Sequence, residues 1–146
     1  MNLIRSLFFT LLLVSSAYSL SDYTKGFMLY KKGSTLLDKN VPKANKMFSK
    51  ALPFLEKAAS ENSSQAYFML GRMYCNGWGV DVDFEKAKEY FIKSIDLGDK
   101  RSNCCIARLL IIKLHNVEAG LPHLKQAEKD GIPACKDIKA YLRKLK

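Results

Sequence analysis

The sequence predicts an all-α fold in which antiparallel helix pairs stack into a solenoid, about three repeats closed by a C-terminal capping helix. Three observations predict it. Apolar residues recur at three- and four-residue spacing through most of residues 22–145, the period of a helix with one buried face. A motif then returns: Lys86-Ala87-x-x-Tyr90-Phe91-x-x-Ser94 has an earlier counterpart in Lys50-Ala51-x-x-Phe54-Leu55-x-x-Ala58 and a later one in Ala119-Gly120-x-x-His123-Leu124-x-x-Ala127, at offsets of 36 and 33. The helix-ending residues keep the same phase, with Gly98 matching Gly131 and, more loosely, Asn62. Four positions after each stands a small residue that opens the next helix: Ala66, Ser102 and Cys135.

The chain opens with a segment that reads as a secretory leader. Arg5 is the only charge before Asp22, Leu7 to Val14 is an apolar run too short to cross a bilayer, and Ala17 and Ser19 are the small pair before a cut ahead of Leu20. An uncleaved anchor is the alternative. Residues 1–19 are thus expected to be a signal peptide and residues 20–146 a single repeat domain, exported to a periplasm or secreted. With no second apolar run of about 20 residues, the processed chain is not expected to be an integral membrane protein. Apolar residues make up 48% of the chain, enough for a packed core, which argues against disorder. The formal charge of +10 is carried mostly by lysine, and no basic cluster is interleaved with aromatics. Nucleic acid is therefore not an expected partner, and solvated lysines on helix faces account for the charge.

In the first unit, Asp22 to Leu37 is predicted as a helix with Phe27, Tyr30, Ser34 and Leu37 along one side. Asp38-Lys39-Asn40 makes a turn, and Pro42 suits a first helical position. The next helix, Lys43 to Ser60, carries Pro53, which is expected to bend it or break it near Leu52. In the central unit Ala66, Leu70, Gly71 and Tyr74 share a face, and Gly71 leaves room for a neighbouring helix to come close. Gly77 and Gly79 supply the backbone angles of a tight turn, over whose end Trp78 and Val80 can fold. Asp83 is an N-cap, with Lys86 where a capping-box glutamate would stand. Phe84, Ala87, Phe91 and Ile95 form the buried stripe of the second helix, with Tyr90 beside it, and Gly98 ends it. Downstream, Arg101 to Leu114 is a first helix followed by a shorter turn without glycines. Val117 to Lys129 is its partner, and Pro133 to Leu145 a basic terminal helix. Atypical terminal units are expected of a stacked array, because their outer face meets water.

The run Leu70-Gly71-x-Met73-Tyr74-x-Asn76-Gly77-x-Gly79-Val80, followed by Asp83-x-x-Lys86-Ala87-x-x-Tyr90 and Gly98, closely resembles the Sel-one-like repeat, a variant of the tetratricopeptide group with a longer glycine-bearing turn. The resemblance is strong over Ala66 to Gly98, degraded in the third unit, and closer to an ordinary tetratricopeptide unit in the first. It implies a right-handed superhelix whose first helices line a concave surface, and a role as adaptor or scaffold in protein complexes, exported members included. A cysteine-rich exported subset is associated with binding and weak hydrolysis of β-lactams, which makes such an activity the alternative function. The paired cysteines of that subset stand eight apart, a spacing this chain lacks, and the family shares no catalytic residue to carry over.

Four cysteines, Cys75, Cys104, Cys105 and Cys135, fall after the leader, and in an exported protein they point to one or two disulfides. Cys104, Cys105 and Cys135 lie near the starts of consecutive first-type helices, so a bond from Cys104 or Cys105 to Cys135 would tie the terminal helix to its neighbour; buried free thiols are the alternative. No metal site or cofactor is expected: there are two histidines, no C-x-x-C, and adjacent Cys104-Cys105 is poor ligand spacing. Nucleophilic chemistry finds no S-x-x-K, G-x-S-x-G or H-E-x-x-H. What remains is a surface. Arg72 and Arg108 occupy equivalent positions 36 apart in consecutive first helices, with Met69, Asn76 and Cys105 mapping nearby. Such a ladder suits the carboxylates of an acidic peptide or an anionic glycan. Gly71, Tyr74, Gly77, Gly79, Ala87 and Gly98 are read as marking the fold. The expected function is an exported scaffold that binds another protein or peptide; a structural component binding anionic polymer through its lysines is a further reading.

Overall fold

The computed structural model describes residues 21–145, so the predicted leader lies outside the described residues. Among the described residues seven α-helices follow one another: α1 Asp22–Leu36, α2 Val41–Ser60, α3 Ser64–Asn76, α4 Phe84–Asp96, α5 Arg101–Arg108, α6 Val117–Lys129 and α7 Lys136–Lys144. Helix α5 widens into a π-helical stretch, Leu109–Lys113, and a 3₁₀ turn, Pro133–Cys135, leads into α7. Helices pack as the pairs α1/α2, α3/α4 and α5/α6, with α7 as the cap. The architecture is the helical-repeat solenoid that the sequence periodicity predicts.

The helix boundaries follow from local chemistry. The starts of α1, α2, α3, α4 and α6 are capped by Ser21, Asn40, Ser63, Asp83 and Asn116, each accepting a hydrogen bond from the backbone N–H three residues on. At the start of α5 the cap residue, Lys100, makes no side-chain capping bond, and Asp99 instead accepts from the Arg101 backbone N–H at 3.1 Å. The stops share one device. Asn62, Gly77, Gly98 and Gly131 all adopt left-handed backbone, with φ of 63°, 67°, 92° and 70°. After each, the next N–H reaches back to the carbonyl five residues earlier: Ser63 to Ala58, Trp78 to Met73, Asp99 to Ser94 and Ile132 to Ala127. The repeat phase read from Asn62, Gly98 and Gly131 is therefore a repeated helix-termination geometry.

The core is three successive clusters. Tyr30, Phe48, Leu55, Leu70 and Met73 fill the space among α1, α2 and α3; Ala87, Phe91, Ile106 and Leu109 join α3, α4 and α5; Cys104, Ile111, Leu124 and Ile138 join α5, α6 and α7. Gly71 sits where a Cβ would lie 2.6 Å from the Phe91 ring, so its missing side chain is what lets α3 and α4 approach. A buried hydroxyl relay crosses between repeats: Ser102 Oγ donates to Ser94 Oγ and Ser94 Oγ to the Ser64 carbonyl, both at 2.9 Å. First helices also touch one another directly, α1 with α3 and α3 with α5.

Three details differ from the sequence expectation. Helix α1 faces the core with Gly26, Tyr30 and Gly33, while Phe27 is 39% exposed. The close fit of α1 on Leu55 and Phe48 is made through those glycines, a signal that a search for large apolar residues passes over. Of the two outcomes expected at Pro53, the break near Leu52 does not occur: helix α2 continues from Val41 to Ser60, with Pro53 on its exposed face. The first helix of the third unit does not stay α-helical to Leu114. Its last turn is π-helical, with Leu114 N–H donating to the Leu109 carbonyl at 3.0 Å, and His115 takes a left-handed φ of 52°. Without glycines to build a loop, the chain turns by widening the helix end, and Leu109 and Ile111 both stay buried.

Candidate functional site

The face shared by the first helices carries a ladder of rings and cations. Gly79 starts it. In left-handed backbone at φ 70°, it lies so close to α2 that a Cβ would stand 2.5 Å from the Ser49 backbone nitrogen. The Ser49 hydroxyl donates to the Gly79 carbonyl at 2.8 Å. This docking carries Trp78 back onto the preceding repeat, where its ring stacks on Phe48 at 5.1 Å and meets the Tyr30 ring edge-on at 6.2 Å. The Arg72 guanidinium lies 4.9 Å from the centre of Trp78 and 5.8 Å from that of Phe68. The Arg101 guanidinium lies 4.4 Å from the centre of the same Phe68 ring and is itself held by Asp99, its Nε and Nη2 donating to the two carboxylate oxygens at 2.9 and 2.6 Å.

A second arginine rung follows on α5. Arg108 donates from Nε and Nη2 to Asp137 of α7 at 2.6 and 2.9 Å. The Arg108 guanidinium holds the Asp137 carboxyl below the usual carboxylate range. Just before Asp137, Cys135 is joined by a disulfide to Cys104, with Cα atoms 5.6 Å apart and both residues buried. Of the two adjacent thiols, Cys104 takes the bond. Cys105 and Cys75 are free and half-buried toward the arginines. Burial pushes the Cys105 thiol up to about 11 and raises Cys75 as well, so both remain protonated at neutral pH, unlike activated nucleophiles.

One polar atom stands out. The Tyr30 hydroxyl is buried and has no hydrogen-bond partner among the described residues. Burial pushes its ionisation up to about 12, and the charges that reach it are Arg72 and Arg101, with Cys105 beside them.

Of the four predicted surface residues, Arg72 lies against Trp78 and Phe68, and Arg108 is bound to Asp137 of α7. Met69 is only 6% exposed and belongs to the first core cluster. Three residues along a helix amount to about 60° of rotation from Arg72, and that carries Met69 off the surface into the seam with its neighbours. Asn76 is exposed, but its Nδ2 donates to the Arg72 carbonyl at 2.8 Å and so serves its own helix end. Sequence reasoning missed Tyr30, Phe68 and Arg101, and read Trp78 only as closing its own turn. Of the fold-marking residues, Gly79 anchors the ladder, whereas Tyr74 accepts a hydrogen bond from Lys86 Nζ at 2.7 Å, with the ammonium 4.1 Å from its ring centre. Tyr74 and Lys86 border a groove of about 780 Å³ at the turn end, also lined by Val82, Asp83 and Leu114.

Comparison with known proteins agrees with this architecture. The chain is 29% identical over 82 residues to the ERAD-associated E3 ubiquitin-protein ligase component HRD3 of Candida glabrata, a match that covers 56% of this chain and 10% of that protein. The chain thus spans about a tenth of the length of that relative. No solved structure matches. The Sel1 repeat profile matches residues 15–63 and 64–99, more than half of the chain, and the protein belongs to the Sel1 repeat family.

Proposed function

We propose that this protein is an exported scaffold whose first-helix face binds a segment of a partner protein, with acidic side chains on that segment meeting the arginines. The observation that carries the reading is the Trp78–Arg72–Phe68–Arg101 ladder, four side chains from two repeats in which rings and guanidiniums alternate. Flat rings and guanidiniums are the groups most often found where binding energy concentrates. Membership of a repeat family of protein-interaction scaffolds supports the reading. So does the similarity to HRD3, a component of an E3 ubiquitin-protein ligase.

Export is part of the proposal. Its support is the leader-like run at residues 1–19 together with the Cys104–Cys135 bond, since disulfides persist in oxidising compartments. The full chain, expressed with its own N-terminus in a secreting host, is expected to be recovered outside the cytoplasm with Leu20 as its first residue. Intact recovery in the cytoplasm would overturn the export reading. For the face itself, a photo-crosslinking residue placed at exposed Asn76 is expected to trap partner protein, whereas the same group at exposed Lys46 on the outer side of α2 is not. Equal trapping at both positions would overturn the assignment of the face.

A further inference from the structure

The two arginine rungs are built alike but filled differently. At Arg108 a carboxylate from the next first-type helix arrives in the plane of the guanidinium and takes two hydrogen bonds. By the repeat offset of 33, the position of α5 that matches Asp137 of α7 is Cys104. Its sulfur is committed to Cys135 and buried, so α5 presents no carboxylate to Arg72. Among the described residues Arg72 forms no ion pair. Its guanidinium is bordered by the rings of Trp78 and Phe68, and Arg101, which shares the Phe68 ring, is already paired with Asp99. A planar cation flanked by rings loses little freedom on meeting a planar anion, which favours bidentate contact with a carboxylate. The Trp78 ring that borders Arg72 also meets the ring of Tyr30, whose buried hydroxyl is a donor without an acceptor among the described residues.

We infer that Arg72 and the Tyr30 hydroxyl form a seat for one carboxylate of a bound peptide, an external counterpart of the contact that Asp137 makes with Arg108. This rests on the scaffold reading and specifies the chemistry of its anchor. The carboxylate takes the in-plane donors of Arg72, and Tyr30 supplies a third hydrogen bond. The hydroxyl is buried in the free protein, so it is reached through a side-chain rearrangement of the kind common at binding faces.

The experiment is a selection of random displayed heptapeptides on the oxidised full chain, followed by synthesis of each enriched peptide with every Asp and Glu replaced by its amide. Binding is expected to require one carboxylate. Arg72→Met is expected to weaken it at least about thirtyfold, and Arg72→Lys not to restore it, because an ammonium lacks the planar fork. Tyr30→Phe is the sharper variant. It deletes only the partnerless hydroxyl, so the Tm of the free protein should hold or rise, while affinity for the carboxylate peptide falls about tenfold. Peptides that bind this face equally well as amides, or unchanged affinity in Tyr30→Phe, would sink the seat and leave the scaffold reading standing. Failure to enrich any peptide on a chain shown to be folded would count against both.

Discussion

The central repeat and the one that follows it start from equivalent sequence and end in different structures. In the central repeat, two glycines make a turn long enough to reach back to α2, and this lays Trp78 on Phe48 and brings a ring against Arg72. In the third, the shorter turn without glycines comes out of a widened helix end, no tryptophan follows, and the equivalent Arg108 meets Asp137 instead. The lesson is that a repeat position fixes where an arginine stands, while the neighbouring turn and the next helix decide what it binds.

The largest expected effect breaks the central turn. Gly79→Ala adds a Cβ 2.5 Å from a backbone nitrogen, at left-handed φ, and is expected to cost about 3 kcal/mol or more in urea unfolding. Gly98→Ala is its control. The φ there is also left-handed but nothing lies within 4 Å, so about 1 kcal/mol is expected.

Next in size is the fastening of the third repeat. The Cys104–Cys135 bond closes a 31-residue span, and Cys135→Ser with Cys104→Ser is expected to lower stability by about 3 kcal/mol. Hydrogen exchange should place the loss in residues 101–145 and leave α1–α3 protected. Exchange rising equally everywhere would show that the repeats do not differ in this way.

A smaller effect comes from Asp137→Asn. The pair with Arg108 is partly exposed, and about 0.5–1 kcal/mol is expected. Its pH dependence has a definite sign. The folded carboxyl titrates below its unfolded value of about 3.9, so the pair contributes fully above that pH, and its contribution is lost as pH falls through the lower folded value. Stability curves of the parent and Asp137→Asn should therefore converge in acid and stay apart at neutral pH. The smallest effect belongs to Lys86→Ala, about 0.5 kcal/mol from its contact with Tyr74. The third repeat has Ala119 at the matching position and does without that contact.

Much of this fold is legible in the sequence because its rules are local. A residue that tolerates left-handed backbone, a side chain that caps, and a three-to-four-residue apolar period each act within a few positions, and Asn62, Gly98, Asp83 and the Phe91 stripe all stand where those rules place them. The errors arose where a long-range partner overrides the local reading. Phe27 has the hydrophobicity of a core residue, but α1 needs glycine where α2 presses closest. Met69 has the spacing of a surface neighbour of Arg72, but the rotation of α3 against the first repeat buries it.

The sequence by itself thus determined the helices, their stops and the equivalence of Arg72 with Arg108. Tertiary structure alone decided that Trp78 crosses thirty residues to meet Phe48, that Cys104 and not Cys105 reaches Cys135, and that Asp137 satisfies one arginine and leaves the other to a flanking pair of rings. The reason is physical. Backbone preferences act between near neighbours in the chain, whereas these contacts depend on the rotation and axial register of stacked helices, which every buried side chain in the stack sets together.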